Sequence, residues 1–256
     1  RPHECCAPRK KPQMKLTSFI LALAVCLPVS AATDNNANAW FMYFGDHPIN
    51  NSKWGLHLEG QWRRTNMGSQ WQQLLLRPGV NYQLNKKITL TGGYGFVDTH
   101  SYGDFPAPHA FPEHRFFEQA TITQRFLGLD WSNRLREEQR NIGVETKQSD
   151  GTYKRTDWRY ENRFRYQLRT TVPLPFADKK NYIALYDEVF YNFGKNVAKN
   201  VFDQNRAYVA YGRDLGHQTK LELGFMEQTV QHRDGLVFEH NHTLQIAIYS
   251  KLPFHF

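Results

Sequence analysis

Cysteine is scarce in this chain. Its 256 residues hold three, Cys5, Cys6 and Cys26, and all of them precede the small-residue run Val29-Ser30-Ala31-Ala32. A chain cut at that run keeps none, which excludes disulfides, thiolate metal sites and thiol catalysis downstream. Long apolar runs are missing too. After residue 31 no stretch approaches the ~18 residues of a transmembrane helix, and no segment carries a helix-period pattern of useful length. Nucleophile-elbow, phosphate-loop and zincin motifs are absent as well. No catalytic residue, metal ligand or cofactor is therefore implied. The excess of basic residues is smaller than it first looks. Of 32 Lys/Arg and 24 Asp/Glu, five and one lie in residues 1–31, so +8 falls to +4 and a nucleic-acid partner is not expected.

The N-terminus carries an export pattern. Met14-Lys15 opens a basic region, residues 16–28 (LTSFILALAVCLP) form an apolar one, and the small residues follow. Residues 14–31 thus read as a signal peptide, too short to span a bilayer. Leu23-Ala24-Val25-Cys26 lacks a lipobox because Val25 stands where a small residue is needed. Residues 1–13 precede the Met and read as non-native or over-extended sequence, and residues 32–256 read as one domain.

What fills that domain is alternation. In residues 158–172, Trp158, Tyr160, Phe164, Tyr166, Leu168 and Val172 take even positions, while Arg159, Glu161, Arg163, Arg165, Gln167 and Arg169 take odd ones. A strand sends these two sets to opposite faces. Similar alternation recurs in eleven segments, the first at residues 39–45 and the last at 237–250. Short links (85–87, 127–128, 173–180, 214–218) alternate with longer ones (98–114, 141–154, 194–202, 231–235). One face is aromatic and unbroken, the other dense with arginine. That combination suits strands between lipid and a polar lumen. The expectation is an all-β fold, an antiparallel transmembrane β-barrel of ten to twelve strands in the cell outer membrane. Bacterial single-chain barrels have even strand numbers, so the eleven segments sit awkwardly with it. Short turns would face the periplasm. Partners would be outer-membrane lipid, lipopolysaccharide and the barrel assembly machinery, which the terminal aromatic Phe256 would address. Pro253 is irregular there, because it cannot donate to a ladder.

Several runs resemble one bacterial family. They are Leu135-Arg136-Glu137-Glu138-Gln139-Arg140, Asn162-Arg163-Phe164-Arg165-Tyr166, Asp187-Glu188-Val189-Phe190 and Phe202-Asp203-Gln204-Asn205-Arg206, with Leu74-Leu75-Leu76-Arg77-Pro78-Gly79 and Gly92-Gly93-Tyr94 before them. In this order they are similar to the domain of unknown function 2490 family, across residues 39–250. The resemblance implies an exported outer-membrane barrel and brings no activity and no site residues with it.

Any chemistry should lie on the inner face. Strand parity puts twelve basic residues there: Arg63, Arg77, Arg125, Arg134, Arg136, Arg140, Arg159, Arg163, Arg165, Arg169, Arg206 and Lys220. Five acids face them: Glu59, Glu138, Glu161, Glu188 and Glu222. Pairing residues whose numbers sum to 297 sets Glu138 opposite Arg159 and Arg136 opposite Glu161, the charge-matched register for this hairpin. The next hairpin would set Glu188 opposite Arg165, with Arg206 approaching from the other side. The expected lumen network is Arg134, Arg136, Glu138, Arg159, Glu161, Arg163, Arg165, Arg169, Glu188 and Arg206. It reads either as an electrostatic zipper stiffening a small barrel or as a narrow constriction favouring small anions.

Two other readings remain. A lipid-modifying enzyme would need an outward Ser–His pair; Ser250 and His242 share a parity but lie eight residues apart. A soluble periplasmic ligand-binding barrel would leave the aromatic face unexplained. His240 and His242 share a face without a third ligand. His100, His109 and His114 lie near Asp104 and Glu113 in a segment stiffened by Pro106, Pro108 and Pro112.

Overall fold

The computed structural model describes residues 32–50, 52–175 and 180–255. The expected signal peptide at 14–31, the segment 1–13 and the terminal Phe256 lie outside them. Eleven strands follow one another: β1 (Ala32–Pro48), β2 (Trp54–Thr65), β3 (Gln70–Asn85), β4 (Ile88–Thr99), β5 (Phe111–Phe126), β6 (Leu129–Lys147), β7 (Tyr153–Pro173), β8 (Asn181–Phe193), β9 (Phe202–Gly216), β10 (Thr219–Gln231) and β11 (Val237–Ser250). The one helical element among the described residues is a single 3₁₀ turn, Asn66–Gly68. Each strand pairs with the next, and β1 closes on β11.

The closure corrects the all-antiparallel expectation. In an up-and-down order of eleven strands, the first and last point the same way. They can only pair in parallel, and they do so from Ala32↔Val237 to Gly45↔Ser250. Every other pair is antiparallel. The seam leaves no open edge, so the strand backbones satisfy one another around the ring. The first stave is also longer than residues 39–45. β11 ends before Pro253, and Phe254 bridges to Ile49 beside the barrel end.

Turn chemistry fits the tight connections. Leu127 and Gly128 both have positive φ (51° and 77°), as a two-residue hairpin turn matching strand twist requires. On β4, Gly93 lies flat against β3. A Cβ there would stand 2.5 Å from the Pro78 carbonyl and 2.7 Å from Gly79 Cα.

The burial pattern is inverted relative to a water-soluble domain. Among the described residues, buried polar and charged side chains outnumber buried apolar ones more than two to one. Outward stand Trp54, Trp62, Trp71, Leu76, Phe116, Tyr160, Phe164, Leu185, Val209, Leu223, Leu244 and Ile246, all exposed. One side of the lumen holds a small apolar cluster of Trp40, Met42, Tyr182, Ala184, Tyr208, Ala210, Met226 and Ala247. Most of the rest of the interior is polar or charged.

Candidate functional site

The ionic interior is built from inward positions of β2, β3 and β5–β9. Its hub is Glu138 on β6, which is 0% exposed. One carboxylate oxygen accepts from Arg163 Nε and Nη2 (2.9 and 2.5 Å), the other from Arg165 Nη1 (2.7 Å) and Arg77 Nη2 (3.4 Å). Arg136 Nη1 stands 3.8 Å away. Four guanidinium groups thus surround one carboxylate.

Further carboxylates tie the ring together. Glu59 accepts from Arg77 Nη1 at 2.6 Å and has Arg136 at 3.8 Å. Glu188 accepts from Arg165 Nη2 at 2.7 Å and from Arg134 Nη2 at 2.8 Å. Glu113 on β5 is gripped by two arginines. Arg115 donates through Nε and Nη2 at 2.6 and 2.8 Å, and Arg140 through the same atoms at 2.6 and 3.1 Å. Asp203 takes Arg163 Nη1 at 2.8 Å. Such forked, charge-assisted contacts hold planar groups in fixed orientations. Phe117 and Phe190 add guanidinium–ring contacts, including Arg165 at 4.3 Å from the Phe190 centroid and Arg136 at 4.9 Å from that of Phe117.

Two arginines differ. Arg63 and Arg206, each 8% exposed, have no carboxylate within ion-pair distance among the described residues. Arg63 donates to the amides of Gln61 and Gln73, and Arg206 faces the Gln228 amide at 3.2 and 3.3 Å. Both rest on Trp40, at 4.0 and 5.3 Å from its ring centroid.

The network divides the lumen into two chambers. One, about 460 Å³, opens toward the short turns, where Thr123, Asp130 and Lys251 line it. The other, about 200 Å³, lies toward the long loops, under Thr99, Tyr102 and Phe111. Trp40, Gln61, Arg165 and Arg206 border both. Between them Arg77, Arg136 and Glu138 are no more than 2% exposed. These side chains leave almost no accessible surface between the chambers.

Several sequence expectations need correction. The β6–β7 register sums to 301, not 297. It sets Arg136 opposite Arg165, Glu138 opposite Arg163 and Arg140 opposite Glu161. The like-charge pair is tolerated because barrel closure supplies Glu59 from β2 to Arg136 and Glu188 from β8 to Arg165. Glu188 lies opposite Gln167 rather than Arg165, which it reaches diagonally. Arg206 is its direct neighbour on β9, but Arg134 and Arg165 are the arginines that contact it.

The inner charge tally also changes. Arg125 pairs at the surface with Asp130, its side chain 71% exposed. Glu113, Arg115 and Asp203 join the interior. Parity alone could have placed Glu113 and Arg115, since they continue the odd face of Thr121 and Thr123. This central network holds nine arginines (63, 77, 115, 134, 136, 140, 163, 165 and 206) and five carboxylates (Glu59, Glu113, Glu138, Glu188 and Asp203), and all the arginines but 63 and 206 pair with one of them. Arg169 pairs with Glu222 nearer the short turns, and Arg159 with Glu161 nearer the loops, where Arg233 also reaches Glu161.

The remaining candidates are scattered. Ser250 is buried at the end of β11, whereas His242 is exposed and hydrogen-bonded to Glu227 at 2.6 Å. Among the described residues no group of three or more His, Cys, Asp or Glu is placed to hold a metal. His100 pairs with Asp98 and His109 lies 3.5 Å from Glu145, while His114 packs on the outer face against Trp158.

A second cluster lies at the long-loop end, where the β4–β5 loop folds onto the β1–β11 seam. Tyr102 donates to Glu239 at 2.5 Å, His232 meets the same carboxylate at 2.9 Å, and the Asp104 amide donates to Asp34 at 3.1 Å. Burial pushes the Tyr102 hydroxyl well above its ordinary range. The hydrogen bond to Glu239 raises His232 above its ordinary value.

The chain is similar to known sequences over most of its length. The model of a family described as protein of unknown function (DUF2490) matches residues 37–239. An uncharacterized protein of Methylorubrum extorquens is 27% identical over 245 residues, which cover 90% of this chain and 96% of that protein. No solved structure gives a significant match.

Proposed function

Starting from the fact that the chain belongs to the DUF2490 family, we propose that it is an exported barrel spanning the bacterial outer membrane, with its lumen held shut by the arginine–carboxylate network. The observation that carries this reading is the inverted burial. An apolar, aromatic-rich surface wraps a polar interior. Water disfavours so much exposed apolar area, while lipid accepts it provided the backbone is paired, as it is around the closed ring. Strands of 12 to 21 residues exceed the ~9–11 that a tilted crossing needs, so each can span and still project. In the orientation this class adopts, the short turns face the periplasm and the long loops face outward.

The barrel's role in this state is structural rather than conducting. A path for ions would have to break the contacts of Glu138, Arg77 and Arg136 at once. The excess of arginine over carboxylate favours a second reading, a narrow anion-favouring path that opens only when this plate is disrupted. Membrane fractionation of expressing cells tests the location. The protein should sediment with outer membranes, need detergent for release and migrate differently on gels before and after heating. Recovery in the periplasmic fraction without detergent would overturn it in favour of a soluble ligand-binding barrel.

A further inference from the structure

We propose that the chamber on the long-loop side is a binding site for a small oxyanion of the phosphate type, held by Arg63 and Arg206 above Trp40. Two observations carry this. The first is the charge left over. Each of the other arginines bordering the chamber has a carboxylate: Arg115 and Arg140 share Glu113, while Arg77, Arg163 and Arg165 share Glu138. Arg63 and Arg206 contact only neutral amides, from Gln61, Gln73 and Gln228, and Glu188, opposite Arg206 on β8, lies beyond ion-pair distance of it. A buried charge without a counter-charge is costly, so a site that keeps two of them is suited to a partner that brings the missing negative charge.

The second observation is space. About 200 Å³ is open beside these groups, room for about six waters at about 30 Å³ each. That is enough for one tetrahedral oxyanion and too little for a nucleotide or a sugar phosphate chain. Guanidinium forks match oxyanion geometry, and the surrounding amide side chains can donate through nitrogen. The Trp40 ring faces both guanidinium groups and Phe190 stands 4.8 Å from that of Arg206, which helps to hold the forks in place before the ligand arrives. Tyr102 borders the chamber and is itself pinned to Glu239, placing the β4–β5 loop over the entrance. The site uses only the barrel interior and is independent of the compartment in which the barrel resides.

The test is calorimetric titration of the detergent-refolded protein with inorganic phosphate, ionic strength being held constant with chloride. Saturable binding with one phosphate per barrel is expected. Arg63→Gln and Arg206→Gln should each weaken it at least tenfold, whereas Arg125→Gln on the surface should leave it unchanged. Arg63→Lys keeps the charge and loses the fork, so it should bind with intermediate affinity. In phosphate-free buffer the two glutamine variants should be no less stable than the parent, because each removes a buried charge without breaking an ion pair. Sulfate should replace phosphate, and acetate should compete poorly. The proposal is overturned by absence of saturable binding in the parent protein, by binding that survives both glutamine substitutions, or by a preference for chloride or acetate.

Discussion

Replacing Glu138 by glutamine probes the barrel at its most connected point. The carboxylate is 0% exposed and lies within 4 Å of four guanidinium groups. Glutamine keeps the shape and one accepting oxygen but removes the charge, and its amide nitrogen is turned toward donors. Breaking a buried ion pair by removing one partner costs about 3–5 kcal/mol, because the other charge stays buried. Each of the four arginines retains a second acid: Asp203 for Arg163, Glu188 for Arg165, and Glu59 for both Arg77 and Arg136. That redundancy places the expected loss near the lower end, about 3 kcal/mol. For a chain of this size each kcal/mol shifts the unfolding midpoint by about 2–4 °C, so a fall of roughly 6–12 °C follows. Equilibrium urea unfolding of the refolded protein in detergent, followed by tryptophan fluorescence, is the direct assay. Arg125→Gln serves as control, since its pair with Asp130 is exposed and screened. A Glu138→Gln barrel within about 0.5 kcal/mol of the parent, the range of an ordinary surface change, would refute the hub reasoning.

Other consequences can be checked separately. Gly93→Ala drives a Cβ into the Pro78 carbonyl and the Gly79 backbone; overpacking of this kind costs about 1–3 kcal/mol and should show in the same unfolding assay. The His232–Glu239 contact depends on pH. His232 is raised above 6.5 in the folded barrel, so its contribution is complete below 6.5 and is lost as pH rises through the raised value. Hydrogen-exchange protection in residues 98–110 and 231–237, taken relative to the intrinsic base-catalysed rate, should therefore fall with rising pH, and His232→Gln should abolish that fall. For orientation, a cysteine placed at Gly151 should react with an impermeant reagent on intact cells, while one at Lys86 should react only after lysis. Equal labelling of both would contradict the proposed insertion.

The sequence made the staves legible because period-two alternation survives in nearly every strand. It made much of the interior legible for the same reason. Glu138, Arg163, Arg165 and Glu188 all take inward positions and sit in one network. What alternation could not supply was the ring. Nearest cross-strand charges alone favour another register of β6 against β7, yet Arg136 is answered by Glu59 from β2, a residue 77 positions earlier in the chain and brought close only by closure. Glu113 was obscured by its neighbour. Pro112 suggested a loop, but it stands second in β5, at a strand start where proline is tolerated. Asp203 has the opposite parity to Arg206 and is buried because the pairing shifts by one residue beside it, opposite Phe190 and Tyr191. The parallel seam was implicit in the odd count. Evenness was the wrong prior here, because pairing two parallel end strands closes an odd ring without an edge.

The central claim is a barrel whose lumen is shut by its own charges. Planar-bilayer recording of the purified, refolded protein under a salt gradient tests it most directly. A folded, heat-modifiable barrel should give no stable conductance steps, whereas Glu138→Gln, if it opens the plate, should give small steps selective for anions. Stable open channels from the parent protein would contradict the account.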